Sequence, residues 1–272
     1  MSNYTVTFAT FNCLEHTKKC VSSLLSSGVK ADCIVAVDNA STDGTPEYLR
    51  QMGLGGVVLN RQNLSCGAAW NQGILERQSD WTIVMNNDIV VTDGFAERLI
   101  AFATINKLKL VSPARIDGIM DYDYSQFAEN AQHKTANVLR WGSSNAICMC
   151  IHWSLFSEIG FFSANPKLLG FEDGLFYNEI RKQNISHATT GSVWIHHFGS
   201  VTQEHIKIVL GKTSNDVLVK VNDRKLYGQS WLERKLYRHR LKTMHKQWRK
   251  LEINGFGMTL HGTRINSNFV WL

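Results

Sequence analysis

The feature that most constrains this chain is an alternation. Through the first 112 residues, short apolar runs suited to strands take turns with stretches that carry apolar residues at helical spacing. Strand-like runs fall at 4–9, 33–37, 57–59, 81–85 and 108–112, and helical stretches at 14–26, from Thr45, at 68–76 and at 95–103. A strand followed by a crossover helix and a second strand makes a parallel pair. The pattern therefore predicts an α/β fold, a Rossmann-like, mostly parallel central sheet with helices on both faces. In such sheets ligands gather beyond the carboxyl ends of the strands, so the loops after strands are where chemistry is expected. Thr45-Pro46-Glu47 predicts a helix start, with Thr45 as cap and proline in the first turn.

Further along, residues 113–144 show little periodicity and include the acidic stretch 117–123, which predicts an irregular flap. Another strand is expected at 145–151, helices at 153–159 and 176–183, and a strand at 192–195 that ends in His196-His197. Charge divides the chain unevenly: residues 205–272 carry fourteen Lys/Arg against four Asp/Glu, and the preceding 204 carry fifteen against nineteen. That asymmetry predicts a catalytic body over 1–204 and a basic, largely helical extension over 205–272. Residues 231–251 read as an amphipathic helix, with Leu232, Leu236, Leu241, Met244, Trp248 and Leu251 on one stripe. Opposite lie Arg234, Lys235, Arg238, Arg240, Lys242, Lys246, Arg249 and Lys250. The stripe either packs on the body, or the helix meets an anionic membrane surface or the phosphates of a nucleic acid.

No run approaches the roughly eighteen apolar residues of a membrane-spanning helix, and the N-terminus lacks the basic and apolar regions of a secretory signal. The six cysteines form no CxxC pair and no zinc spacing, which suits a reducing compartment. The expected location is the cytoplasm, peripheral to the membrane if the basic helix binds lipid, or the host cytoplasm if the chain is viral.

Four clusters carry chemistry, and each has an ordinary structural reading beside it. Asp38-Asn39-Ala40-Ser41-Thr42-Asp43-Gly44 follows a buried strand and can bind a ribose or a base edge, or can simply form a capped turn. Asn86-Asn87-Asp88 ends a very apolar strand; it can offer oxygen to a hard divalent cation, or serve as a turn. Gly170-Phe171-Glu172-Asp173-Gly174 places two acids before a helix, one a candidate general base, unless both serve only the helix dipole. His196-His197 can complete a metal shell or can be structural.

Together these segments resemble the family-2 glycosyltransferases, a group with the GT-A fold. Residues 6–12 look like that family's first strand and its Thr-Tyr-Asn signature, and residues 38–45 are similar to its Asp-Asn-x-Ser-Thr-Asp-Gly-Thr loop. Asn60, Asn63 and Gly67, then Asn71 and Gly73, follow its Asn/Gly pattern with a one-residue looseness, and Asn86-Asn87-Asp88 takes the place of the DxD motif. Phe171-Glu172-Asp173 and His197-Phe198-Gly199-Ser200 look like its later Glu-Asp and His-x-Gly-Ser segments, so the resemblance covers residues 3–202. It implies an inverting transfer of a hexose or pentose from a nucleotide diphosphate, a UDP-sugar by preference, to an acceptor hydroxyl. Thr10, Asn12, Asp38, Asn39, Asn71, Asn86 and Asn87 would contact the donor. Asp88 would ligate Mn²⁺ or Mg²⁺ with His197 or His196, and Asp173, or else Glu172, would be the catalytic base. Asn86 stands where many relatives carry Asp, which weakens the metal motif. The acceptor would be a surface polysaccharide, a lipid-linked saccharide or a modified base in DNA, met through Arg234, Lys235, Arg238, Arg240, Lys242 and Lys246.

Other functions fit less of the chain. A dinucleotide-dependent oxidoreductase needs a Gly-x-Gly-x-x-Gly turn after the first strand, where this chain has Thr10-Phe11-Asn12-Cys13. A nucleotidyltransferase would consume a nucleoside triphosphate, and a non-catalytic nucleotide-sugar or carbohydrate-binding protein would bind donor without turnover.

Overall fold

The computed structural model describes residues 3–164, 171–199, 227–228 and 230–272. Gly170, Ser200 and the division expected between 204 and 205 lie outside the described residues. The chain opens with β1 (Tyr4–Thr10), α1 (Leu14–Ser26), β2 (Ile34–Asp38), α2 (Thr45–Gln51), β3 (Gly56–Leu59), α3 (Cys66–Glu76) and β4 (Trp81–Asn86). Then come β5 (Ile89–Val90), α4 (Phe95–Ile105), β6 (Leu110–Gly118), α5 (Tyr124–Thr135), β7 (Leu139–Trp141), β8 (Cys148–His152) and α6 (Trp153–Ile159). α7 (Glu172–Lys182), β9 (His187–His197), α8 (Trp231–Phe256), β10 (His261–Ile265) and β11 (Asn268–Trp271) complete the described elements.

The sheet order is β11-β10-β6-β8-β4-β1-β2-β3, with β9 pairing with β5, β6 and β7. The half from β4 to β3 is parallel, as the βαβ alternation requires. β8 lies antiparallel between β4 and β6, so the sheet as a whole is mixed. Burial on both faces explains why β2 reads as an unbroken apolar run rather than an alternating one. One face packs α1 and α4 over Phe8, Ile83, Met85 and Leu99, and the other packs α3, α6 and α7 over Trp70, Ile74, Met149 and Phe176. A third core forms around Trp194, Ile116, Tyr124, Met258 and Leu260.

Three local expectations change. Residues 113–144 are not an irregular flap: they hold the end of β6, then α5 and β7. The period was hidden because, beside Tyr124, the residues α5 buries are small or polar (Ala128, Ala131, Thr135), and the Trp194 indole N–H donates to the Thr135 hydroxyl at 3.0 Å. At α2 the cap position belongs to Gly44, left-handed at φ +84°, while the Asp43 carboxylate accepts from the Thr45 N–H and hydroxyl. The apolar stripe of α8 also splits. Leu241, Met244 and Trp248 are half-buried, whereas Leu232, Leu236 and Leu251 are exposed, because their positions wind through about half the circumference of the helix.

The C-terminal segment ends in a feature with no sequence precursor. β10 adds to β6 in parallel, and β11 folds back on β10, so the last residues join the central sheet. No described helix is long and apolar enough to cross a membrane.

Candidate active site

The parallel strands deliver their carboxyl ends to one place. Thr10 ends β1 in register with Asp38 at the end of β2, and Ala9 is in register with Asn86 at the end of β4. The Asn87 amide donates to the hydroxyls of Thr10 (3.1 Å) and Thr17 (3.0 Å), tying the loop after β4 to the end of β1 and to α1. Across the same edge the Thr42 N–H donates to the Asn12 side-chain carbonyl at 2.7 Å, and the Asn12 N–H donates to the Ser41 hydroxyl. Asn12 adopts φ +49° to make this exchange. Asn39 is clamped as well: its amide donates to the Ser65 carbonyl and its oxygen accepts from Asn60.

Asp38 sits at the floor of this cleft. One carboxylate oxygen accepts from the Ser41 N–H at 2.9 Å; the other, Oδ1, is buried and makes no hydrogen bond. Burial raises the Asp38 pKa, and the hydrogen bonds from Ser41 and Ala40 only partly offset that. A buried acceptor without a donor is costly, so Asp38 Oδ1 suits a ligand that brings an N–H or a hydroxyl.

The second half of the site is built by register around β9. Ile89 pairs with His197, which carries Asp88 to the end of β9, and Asp117 on β6 pairs with the same His197 from the other side. The His197 Nδ1–H donates to Asp117 Oδ1 at 2.9 Å, which turns Nε2 toward Asp88 Oδ1 at 3.4 Å. Asp88 Oδ1 and His197 Nε2 are both buried, and neither makes a hydrogen bond of good geometry. Burial alone would lower the His197 pKa, but the hydrogen bond to Asp117 and the close charges of Asp88 and Asp117 outweigh it and raise it to about 9. Asp117 shows the converse: burial pushes it up, yet His197, His261 and Arg115 hold it well below the usual carboxylate range. A carboxylate oxygen and an imidazole nitrogen left facing each other are donors a divalent cation accepts. Among the described residues no three His, Cys, Asp or Glu side chains form a ready cage, so such an ion would need further oxygens from its ligand.

His196 takes a different part. On a strand, neighbours face opposite sides, and His196 is fully buried between the Tyr122 hydroxyl (2.9 Å) and the Gly118 carbonyl (3.0 Å). Burial lowers its pKa to about 4, so it is a neutral structural imidazole turned away from Asp88. Asn71 is likewise committed. Its amide donates to the Phe162 carbonyl at 2.8 Å and accepts from the Phe162 N–H at 3.1 Å, fixing the loop after α6.

Glu172 and Asp173 open α7, which packs near the start of α3. A Cβ on Gly67 would lie 3.0 Å from Glu172 Cγ, so only glycine lets α3 come this close. Cys66 reports the convergence: its thiol pKa is raised by burial first, then by the charges of Glu172, Asp173 and Asp88. Asp88, Glu172 and Asp173, from two distant segments, thus all lie within electrostatic reach of Cys66. Burial raises the Asp173 pKa, and the hydrogen bond from the Gly174 N–H at 2.7 Å offsets this only in part. Glu172 is the more deeply buried of the two acids.

The sequence reading missed Asp117, Arg115 and His261 entirely, and also His16, whose imidazole feels the Asp88 charge and meets the Phe198 ring edge-on at 5.0 Å. The acidic run at 117–123 was the one available signal for Asp117; His261 lies 144 positions from its partner and had none.

Comparison with known proteins supplies the frame for this geometry. The family model described as Glycosyl transferase family 2 matches residues 5–160. The chain belongs to that family. Among solved structures, the mannosyltransferase PcManGT from Pyrobaculum calidifontis in complex with GDP-Man and Mn²⁺ is similar, with TM-score 0.56 and 17% identity. GalNAc-T7 with UDP, GalNAc and Mn²⁺ is similar at 0.56 and 14%, and S. aureus TarS 1-349 at 0.56 and 13%. The matches cover 72%, 72% and 77% of this chain and 57%, 44% and 64% of those chains, so this family-2 protein spans less than two thirds of each. No curated protein matches it. The shared fold is GT-A, a mixed sheet with helices on both faces and a helix toward the C-terminus.

Proposed function

We propose that this glycosyltransferase inverts the anomeric centre of a sugar carried on UDP, with a divalent cation, Mn²⁺ or Mg²⁺, held by Asp88 and His197. The observation that carries the reading is the pair Asp88 Oδ1 and His197 Nε2, buried and turned to each other at the strand ends. The Mn²⁺ bound in two of the similar structures supports it, as does the UDP of one of them. The cation, when bound, would offset the charge that builds on the β-phosphate as the diphosphate leaves, worth several kcal/mol. Asp38, with Thr10, Asn12 and Asn39 ordering the loops around it, would accept hydrogen bonds from the base or ribose, and Asn86 and Asn87 would border the diphosphate. Asp173 would take the proton of the acceptor hydroxyl while its oxygen bonds to the anomeric carbon and the bond to the β-phosphate breaks. Its raised pKa suits a base, since a buried carboxylate gains by accepting a proton.

For the acceptor, α8 favours a saccharide at an anionic membrane surface. Trp231, Leu232 and Leu236 are 56%, 57% and 56% exposed and continue into the exposed cations Lys235, Arg238, Arg240, Lys242 and Lys246. Apolar and cationic side chains side by side suit a lipid headgroup layer better than a bare phosphate backbone. All six cysteines are free, in keeping with a cytoplasmic face.

The test is a panel of nucleotide sugars with Mn²⁺ or Mg²⁺, scored for diphosphate release by the wild type and Asp88→Ala, alongside sedimentation with anionic vesicles and with duplex DNA across a salt series. Release with a UDP-sugar that chelation and Asp88→Ala both abolish is expected. Undiminished release under exhaustive chelation would remove the metal assignment, binding to DNA alone would move the acceptor to nucleic acid, and donor binding without any turnover would leave a sugar-nucleotide-binding protein.

A further inference from the structure

We infer that the C-terminal hairpin is part of the metal site: His261 on β10, through Asp117, fixes the ring orientation and tautomer of His197. The inference rests on the reading of His197 as a metal ligand.

The geometry is continuous. Asp117 Oδ1 accepts from His197 Nδ1–H at 2.9 Å, and Asp117 Oδ2 accepts from His261 Nε2–H at 2.7 Å. Arg115 Nε donates to both oxygens of Asp117, at 3.1 and 3.2 Å, and an Arg115 terminal nitrogen reaches His261 Nδ1 at 3.5 Å. Sheet register explains why these four side chains share one face. Arg115 and Asp117 are two apart on β6, Asp117 pairs with His197 on β9, and Arg115 pairs with His261 on β10.

The consequence for His197 is chemical. An imidazole binds a cation through an unprotonated nitrogen, and the neutral ring carries its single proton on one nitrogen or the other. A carboxylate at Nδ1 keeps a proton there, so Nε2, turned toward Asp88, is the nitrogen that meets a cation and gives up any proton it carries. That is the second-shell arrangement that raises ligand basicity and holds ring orientation. Asp117 can do this only if it does not swing away, and its other oxygen is held by His261. His261 is therefore a positioning residue, one that touches neither donor nor cation, supplied by a segment that the family match at 5–160 does not include.

The experiment uses the full chain with Mn²⁺ and UDP. Free Mn²⁺ is followed by its electron paramagnetic resonance signal at saturating UDP, UDP binding is measured by calorimetry in chelator, and thermal midpoints are recorded for every variant. Asp117→Asn keeps the shape and removes the charge; His261→Leu removes the donor; His261→Gln restores an N–H at nearly the same reach. The expected result is Mn²⁺ affinity lowered about 10- to 100-fold in Asp117→Asn and about 10-fold in His261→Leu. Affinity returns to within about threefold of wild type in His261→Gln, while UDP binding in chelator stays unchanged throughout. Wild-type Mn²⁺ affinity in Asp117→Asn and His261→Leu, with binding lost in Asp88→Ala and His197→Ala, would overturn the inference and leave the metal assignment standing. A loss in His261→Leu that follows a fall in thermal midpoint and is not restored by His261→Gln would overturn it too. If Asp88→Ala and His197→Ala bind Mn²⁺ like wild type, the metal assignment falls and takes the inference with it.

Discussion

Arg140 on β7 and Glu252 near the end of α8 form an ion pair whose side chains are 6% and 5% exposed, and removing its carboxylate is the sharpest stability test this fold offers. Arg140 Nε and a terminal nitrogen each donate to the Glu252 carboxylate at 2.8 Å, and the Leu260 N–H donates to it at 2.8 Å. The guanidinium also lies 5.6 Å from the Trp248 ring. Glu252→Ala would leave a buried cation without its counter-charge, which costs about 3–5 kcal/mol. It would also leave a backbone N–H without its acceptor, about 1–3 kcal/mol. The two costs share one carboxylate and overlap, so the expected loss is about 4 kcal/mol. At about 2–4 °C per kcal/mol, that lowers Tm by roughly 8–16 °C. Urea unfolding followed by tryptophan fluorescence gives the free energy directly. Replacing the pair together, as Arg140→Met with Glu252→Leu, should recover most of it, because no charge is then left unpaired. A loss below about 1 kcal/mol in Glu252→Ala with an unchanged urea slope would refute the reasoning, since a pair this buried cannot be screened away.

Three further outcomes are expected. Asp173→Asn should cut transfer by at least about 10²-fold, the scale of general-base catalysis, with donor affinity kept. In the wild type, because the base works only when ionised and burial raises its pKa, the rate should fall with decreasing pH from a point above the ordinary aspartate value of 3.8, as a pH series of kcat/KM would record. Gly73→Ala should destabilise the fold by about 1–3 kcal/mol in thermal or urea melts, since a Cβ there would stand 1.9 Å from the Thr7 hydroxyl and 3.0 Å from Thr7 Cβ.

The parallel half of the fold was legible because its inner strands β1, β2 and β4 are buried on both faces and helices such as α1 show their own period. That Asp38 and Asp88 lie at strand ends was legible for a related reason: they fall in loops directly after such strands, and local polar runs survive in sequence. The rest depended on pairing between distant segments. α5 was hidden because the residues it buries beside Tyr124 are alanines and a threonine rather than large apolar side chains. β10 and β11 were hidden because Gly262, Thr263, Arg264 and Asn268 give no apolar alternation; their strand character comes from β6, which β10 joins. Asp117 and His261 are informative only once the register of β6 with its two neighbours is known. Asn71 and His196, readable as ligands in sequence, are held by Phe162, Tyr122 and Gly118, partners that no local pattern marks.

The hairpin's place in the sheet makes a last expectation specific. One edge of β6 pairs with β9 along most of its length, while on the other edge β8 reaches only Leu110 and Val111. From Arg115 to Gly118 that second edge is taken by β10. Without β10, the segment bearing Asp117 would be an open strand edge beside the active site, a template for pairing with other chains. The fit is close: a Cβ on Gly262 would stand 2.7–2.8 Å from the Trp271 ring and from Ile116 Cδ1. Gly262→Ala should therefore push β10 off β6 without touching a charged group, at about 1–3 kcal/mol of stability. If the hairpin both closes that edge and steadies Asp117, the variant should bind Mn²⁺ with UDP more weakly than wild type and exchange the amide hydrogens of Arg115 to Gly118 faster. Faster exchange with unchanged Mn²⁺ affinity would mean that closing the edge is the hairpin's whole task, and that Asp117 holds His197 unaided.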